Sequence, residues 1–398
     1  MTITDVGNLF MFAGGLGMFL YGMHSMSGGI QKTAGNKMKE LLGILTSNHF
    51  MAVVVGALVT AIIQSSGATT VMVVGFVNAG IMTLTQAVGV IMGANIGTCI
   101  TAWIVSLGQL GDAFKAFSPS LYAPLLVGIG AFLIMFSKKA KKQTVGEILV
   151  GLGLLFIGLD FMGDAAGDYL HLPIFTRAFE LFGSNPILGI LIGVIVTAIM
   201  QSSSAAVGVL QTLAAAGGVV TASSAMYISL GSNIGSCCTA LLSSLGESRN
   251  AKRSAVIHLT FNVLGALVWG SGLFVLFQFR PAFGTMGIDS VGISVFHTIF
   301  NLVCTVLMTP LRGKLVALSG LLVKGGDEQE QAEQSDDAIT LRHLDDRILE
   351  TPSFAVENAI LEVVHMGHIA NENMERAFEA VMKKKKKKIE QVYRTEKV

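Results

Sequence analysis

Two short polar words each occur twice in an otherwise apolar chain. Residues 60–68 read TAIIQSSGA and residues 197–205 read TAIMQSSSA, identical at seven of nine positions. About thirty residues after each comes GANIGTCITAWIVSLG, from Gly93, or GSNIGSCCTALLSSLG, from Gly231, identical at ten of sixteen. Recurrence at a fixed spacing marks a duplicated unit. The side chains are neutral amides and hydroxyls, so the chemistry they offer is binding without a fixed charge. Helices starting after Ser65-Ser66 and Ser202-Ser203 would aim positive dipole ends and free amides at a common place, with serine hydroxyls as further donors, which suits an anion. Ser65, Ser66, Gly67, Ser202, Ser203 and Ser204, with Asn95 and Asn233, are the candidate anion-binding residues. Helices ending there would offer carbonyls, joined by the side-chain oxygens of Gln64, Ser65, Asn95, Thr98, Gln201, Ser202, Asn233 and Ser236, which suit an alkali cation such as sodium. A cation and an anion held together would lower the cost of desolvating each other.

Such groups must be carried by apolar elements. Hydrophobic residues make up 52% and charged residues 13% of the chain, against about 25% charged in soluble proteins, so the composition is that of an integral membrane protein with all-α architecture. A helix rising 1.5 Å per residue needs about 20 residues to cross a bilayer. Uninterrupted spans are expected at about 9–30, 118–137, 145–163, 254–279 and 291–310. The first is read as a retained helix rather than a leader, since Asp5 precedes it and no basic cluster does. The apolar runs on either side of Gln64 are too short to cross, and Pro186 to Gly217 repeats the form around Gln201, which suggests two re-entrant hairpins. Segments 84–107 and 222–245 are long enough to cross but carry Gly-x-Asn-Ile-Gly near their middles, and are expected to be broken helices.

Hairpins that return to their starting side leave three crossings in the first unit, so the second unit enters the membrane upside down, as an inverted repeat. Repeat 1 is expected over about 9–137 and repeat 2 over about 145–279, with an extra helix at about 291–310, all within a transmembrane domain at 1–324. Thirteen basic residues of this domain then fall on one side and three (Lys115, Arg177 and Arg280) on the other. The positive-inside rule puts the N-terminus outside and the tail in the cytoplasm. Before Gly325 there are 16 Lys and Arg and 10 Asp and Glu, whereas the tail from Asp327 holds 11 and 16. Residues 325–340 read as a linker and 341–398 as a cytoplasmic helical segment, with Pro352 opening a helix whose Phe354, Ala355, Ile360, Leu361, Val364 and Met374 suit packing in a bundle. Lys383 to Lys388 reads as a solvated helix end, with anionic lipid heads or phosphate the alternative partners.

Several classes of function are disfavoured. There is no phosphate-cradling Gly-Lys loop, metal cluster or nucleophile with a base, so an enzyme is not expected, nor any metal beyond sodium, nor any cofactor. A formal net charge of +1 gives no argument for nucleic acid. Cys99, Cys237, Cys238 and Cys304 lie in apolar segments without paired spacing and read as packing residues. Proton-driven carriers commonly use buried acids or histidines. Here the acids are Asp160, Asp164 and Asp168, on one face approaching a helix end, so sodium is the preferred coupling ion. His258 and Asn262 in HLTFN and His297 and Asn301 in HTIFN place His and Asn one turn apart, either for packing or to support the breaks.

Over residues 9–310 the chain resembles the type II sodium-phosphate cotransporter family, on the strength of QSSG, QSSS, GANIGT, GSNIGS and the later Phe-Asn pairs. The resemblance implies a membrane symporter that moves inorganic phosphate with sodium by alternating access. It also implies that Gln64, Ser65, Ser66, Gln201, Ser202, Ser203 and Ser204 bind substrate and sodium. Gly67 stands where the family has a third serine, which removes one hydroxyl and allows closer backbone approach. The tail from Leu341 resembles the start of the regulator PhoU, too short to complete that bundle. A cytoplasmic-membrane location among lipids follows, with assembly of several copies compatible. Two alternatives remain: a sodium-coupled carrier of another small anion, such as sulfate or a carboxylate, and a membrane protein that senses phosphate through its tail.

Overall fold

Lipid offers no partner to a backbone amide, so an apolar chain in a bilayer pairs its amides locally, as helix. A computed structural model describes residues 3–43, 48–78, 82–108, 119–170, 172–217, 220–324 and 352–383, with 389 and 392. In chain order the helices are α1 (Ile3–Gly43), α2 (His49–Ile63), α3 (Ser66–Asn78), α4 (Leu84–Gly108), α5 (Pro119–Phe136), α6 (Ala140–Leu170), α7 (Pro173–Ser184), α8 (Pro186–Met200), α9 (Ser203–Gly217), α10 (Ala222–Gly235), α11 (Cys237–Ser243), α12 (Arg249–Phe279), α13 (Pro281–Thr285), α14 (Ser290–Met308), α15 (Arg312–Leu322) and α16 (Pro352–Lys383). Among the described residues the only strand-like pairing is a bridge between Thr221 and Gly287. Among the described residues six helical stretches are long and apolar enough to cross a membrane: Val6–Thr33, Leu84–Gly108, Ala140–Gly167, Ala222–Ser243, Arg249–Phe279 and Ser290–Leu322. The protein is therefore an all-α, multi-pass membrane protein. Four of the five spans expected to be uninterrupted correspond to α1, α6, α12 and α14, while the fifth falls on α5, whose described apolar stretch, Leu121–Phe136, is shorter than those six.

Caps set where the short helices start. Asn48 Oδ1 accepts from Phe50 N at 3.0 Å to open α2, and Asn185 Oδ1 accepts from Ile187 N at 3.0 Å to open α8, where Pro186 takes the first helical position. Thr221 and Ser224 form a capping box at α10, and Asp289 caps α14. The sequence reading did not anticipate α7; it joins α8 at a bend of 114°.

The expectation of two broken helices is overturned for α4, which runs unbroken through Gly93, Asn95 and Gly97. In the second copy the mark at Ser236 separates α10 from α11, yet Ser236 has φ −64 and ψ −19 and its N–H donates to Ser232 O at 3.1 Å, so the chain keeps a helical path. The glycines serve contact instead. A Cβ on Gly93 would lie 2.0 Å from Val53 O of α2, and one on Gly231 would lie 1.9 Å from Ile190 O of α8. Bare backbones thus press together along α2–α4 and α8–α10, the small-residue packing that lipid favours.

Outside these pairs, α6 touches both α1 and α5, and the three pack on the remainder through contacts of α6 with α9 and of α1 with α2. Gly15 lies against Gly158 and Gly22 against Gly151 and Leu155, so α1 and α6 run antiparallel. The main buried core lies among α2, α3, α4, α10, α12 and α14, with Tyr227, Phe261, Phe300 and Ile91 each below 2% exposed. In α16, Pro352 opens the helix as expected. Ile360, Val364 and Met374 are exposed rather than packed, at 58%, 52% and 69%. The linker 325–340 and Lys384 to Lys388 lie outside the described residues.

Candidate ion and substrate site

The two Gln-Ser-Ser words lie where two short helices meet. Gln64 and Gln201 end α2 and α8 in the left-handed region, at φ 58 and φ 52, and are the two non-glycine residues of positive φ among the described residues. That conformation costs a side-chain-bearing residue roughly 1–2 kcal/mol, and its recurrence at both copies marks one turn built twice. The serine that follows caps the next helix: Ser65 Oγ accepts from Ala68 N at 3.1 Å and Ser202 Oγ from Ala205 N at 3.2 Å. Both are thereby held at helix N-termini, as the sequence reading required.

Beyond the caps the hydroxyls are uncommitted. Ser66, Ser203 and Ser204 are buried, and none has a hydrogen-bond partner among the described residues. The residues are largely enclosed, at 6%, 4% and 6% exposure, but their hydroxyls are not among the fully buried unpartnered atoms, so at two matched helix starts they form a set of donors open to an outside acceptor. Gly67 brings its turn against α11: a Cβ there would lie 3.3 Å from Thr239 Oγ1. The first tip therefore touches the second word of the other unit.

The tips differ in how they are held. Gln64 Nε2 donates to Ala61 O, and its Oε1 accepts from Thr101 Oγ1 at 3.0 Å. Ser27 Oγ on α1 donates to Ile63 O, and Gln31 Nε2 donates to Ser27 Oγ at 3.1 Å. Gln201 is exposed and has no such partner among the described residues. Sequence reasoning missed Thr101, Ser27 and Gln31. Thr101 had a signal, since it recurs as Thr239 in the duplicated word, whereas Ser27 and Gln31 had none.

Asn95 and Asn233 are held by the two His-x-x-Phe-Asn words. Asn95 Nδ2 donates to Asn262 Oδ1 at 2.7 Å, and Asn233 Nδ2 to Asn301 Oδ1 at 2.6 Å. Asn262 Nδ2 in turn donates to Cys237 Sγ at 3.3 Å and Asn301 Nδ2 to Cys99 Sγ at 3.6 Å, so each asparagine of α12 and α14 bridges the two duplicated units. His297 Nε2 lies 3.1 Å from Asn233 Oδ1, while both ring nitrogens of His258 are buried without a partner. Thr98 Oγ1 donates to Ala94 O at 3.0 Å and Ser236 Oγ to Asn233 O at 2.7 Å, which leaves their lone pairs free to accept a cation. Asp160 and Asp164 are exposed.

The arrangement is two capped helix starts with spare hydroxyl donors beside neutral oxygens, which can accommodate an anion with a small cation. The sequence profile of the Na+/Pi-cotransporter family matches residues 18–164 and 171–311. A Salmonella typhimurium protein named for inorganic phosphate export, YjbB, is 29% identical over 362 residues, covering 90% of this chain and 62% of that protein. The chain thus spans less than two thirds of the length of that relative. The Bacillus subtilis protein YqeW is 29% identical over 311 residues, 77% of this chain and 95% of YqeW. Human sodium-dependent phosphate transport protein 2B is 37% identical over 109 residues, 27% of this chain and 16% of that protein. No solved structure matches. By the extent of the profile match and the duplicated words inside it, the chain belongs to the Na+/Pi-cotransporter family, a family of transporters.

Proposed function

We propose that this chain moves inorganic phosphate across the cytoplasmic membrane coupled to sodium, by alternating access. The observation that carries the reading is the pair of left-handed glutamine turns, each followed by a capped helix start with largely enclosed serines whose hydroxyls no described protein group engages. Ser66, Ser203 and Ser204, with the first amides of α3 and α9, would hold phosphate oxygens. Gln64, Gln201, Thr98, Ser236, Asn95 and Asn233 would supply oxygens to sodium, with Asn262 and Asn301 positioning the two asparagines. The helices flanking each tip have 15, 13, 15 and 15 residues, about 20 Å each. That is short of a hydrocarbon core of about 30 Å, which favours re-entrant hairpins. The antiparallel contact of α1 with α6 favours an inverted repeat, and the group α1, α5 and α6 would be the frame against which the rest moves. The basic residues favour an external N-terminus and a cytoplasmic tail.

The test is uptake of labelled phosphate by proteoliposomes. An inward sodium gradient should drive accumulation and an equal potassium gradient should not; accumulation indifferent to sodium rejects the coupling. The relatives named for export make net outward movement a second reading of direction. Vesicles loaded with phosphate and given an outward sodium gradient measure that branch. Excess sulfate should leave uptake intact, and competition by it would reassign the cargo.

A further inference from the structure

The duplicated words allow positions in the two halves to be matched, and one matched set differs in chemistry. Ten residues beyond Gln64 lies Val74 on α3, and ten beyond Gln201 lies Gln211 on α9. Val74 is buried in a small apolar cluster with Ala240, Ala251 and Ala255. By place in the Asn-Ile-Gly words and in the two His-x-x-Phe-Asn words, those three alanines match Ala102, Ser290 and Ser294. Gln211 sits among that second trio. Its Nε2 lies 3.1 Å from Ala102 O, 3.0 Å from Ser290 O and 2.8 Å from Ser294 Oγ, and Ser294 Oγ lies 3.0 Å from Ala102 O. One contact point is thus built twice, once from a valine and alanines and once from an amide and two serines.

The two versions resist displacement differently. Methyl groups resting on alanines can slide with little loss, because apolar contact has no preferred direction. Hydrogen bonds from a fully buried amide fail within a fraction of an ångström, and their loss strands polar groups away from water. Gln211 Oε1 and Ser290 Oγ are already buried without partners, so the polar version carries a cost that its apolar counterpart avoids. The hairpin tips complement this. Ser27 on α1 ties the first tip through Ile63 O, while the matching position on α6, counted from the shared Gly-Leu-Gly words at Gly15 and Gly151, is Gly163.

Resting on the transport reading above, we propose that Gln211 is a positioning residue that makes the two hairpins mechanically unequal. It fixes α9 to α4 and α14, the helices bearing Asn95 and Asn301, so that the second tip travels with one asparagine of each hydrogen-bonded pair. The arm of the first tip, α3, rests at Val74 on an apolar surface along which it slides, and the first tip changes its place relative to bound substrate by breaking its Gln64–Thr101 bond to α4 while keeping its Ser27 tie to α1.

Reciprocal variants test this. Gln211→Met removes the hydrogen bonds at similar volume, and Gln211→Val with Ser290→Ala and Ser294→Ala copies the first half. Val74→Gln with Ala251→Ser and Ala255→Ser installs the polar version in the first half. Amide hydrogen exchange of the protein in lipid nanodiscs should show residues 203–217 exchanging on the order of tenfold more slowly than 66–78. Gln211→Met should erase that difference, and the installed set should slow 66–78. In sodium-driven phosphate uptake, Gln211→Met should raise KM by about tenfold and the installed set should lower the maximal rate with KM unchanged. Equal exchange of the two arms in the native protein, or exchange unaltered by Gln211→Met, overturns the proposal. If the exchange pattern holds but native protein shows no sodium-driven uptake, the unequal anchoring stands and the transport reading fails.

Discussion

Replacing Gly231 by alanine tests the backbone contact that holds the second tip. The new Cβ would lie 1.9 Å from Ile190 O, and 3.4 Å is where ordinary contact begins. The helices α8 and α10 would therefore have to part by about 1.5 Å, because the obstacle is backbone and cannot rotate away. Overpacking of this kind costs about 1–3 kcal/mol, and the upper end applies here. Alanine also favours a helix over glycine by about 1 kcal/mol, so the net loss should be about 2 kcal/mol. Gly17→Ala on α1 is the control: nothing lies within 4 Å of the added methyl, and it should be neutral or slightly stabilising. In thermal unfolding of the detergent-solubilised protein, Gly231→Ala should melt several degrees below Gly17→Ala. Its sodium-driven uptake should fall with it, since Gln201 ends the displaced helix and Asn233 lies two residues from the substitution. If Gly231→Ala melts with the native protein and transports normally, α8 and α10 do not meet backbone to backbone and the account of the glycines is wrong.

Three further outcomes are expected. Ser66→Ala and Ser203→Ala should raise the phosphate KM by about tenfold while shifting stability by less than about 0.5 kcal/mol, since neither hydroxyl has a partner to lose among the described residues; unchanged KM in both would move the anion site elsewhere. Gln201→Gly should relieve left-handed strain and stabilise the fold by about 1 kcal/mol, whereas Gln64→Gly should gain little because it also loses the bonds to Thr101 and Ala61; both should impair sodium-dependent uptake, which a thermal melt and a flux assay on the same sample would separate. Asn95→Ala and Asn262→Ala should each destabilise by about 1–3 kcal/mol, and the double variant by clearly less than their sum; strict additivity in the melts would show that the two amides do not meet.

The geometry of the two turns was legible along the chain. The turns at Gln64 and Gln201 fall where the apolar runs stop short of a membrane's thickness, and Ser65 and Ser202 cap helices as their type and place suggest. The glycines were misread because Gly-x-Asn-Ile-Gly looks the same whether it breaks a helix or lets another helix approach. Asn262 and Asn301 were recognised as a pair. Their bonds to Asn95 and Asn233, and onward to Cys237 and Cys99, join residues far apart in sequence, so no local spacing could predict them.

Duplication, helicity and burial in a bilayer follow from the sequence alone, because hydropathy, length and repetition are properties of short stretches of chain and act before any helix finds a neighbour. The tertiary structure decided that α4 stays whole, that the asparagines pair across the two units, and that Gln211 anchors one arm where Val74 only rests. Those outcomes depend on what stands opposite each residue, and a glycine or an amide acquires its role only when a partner carbonyl comes within contact.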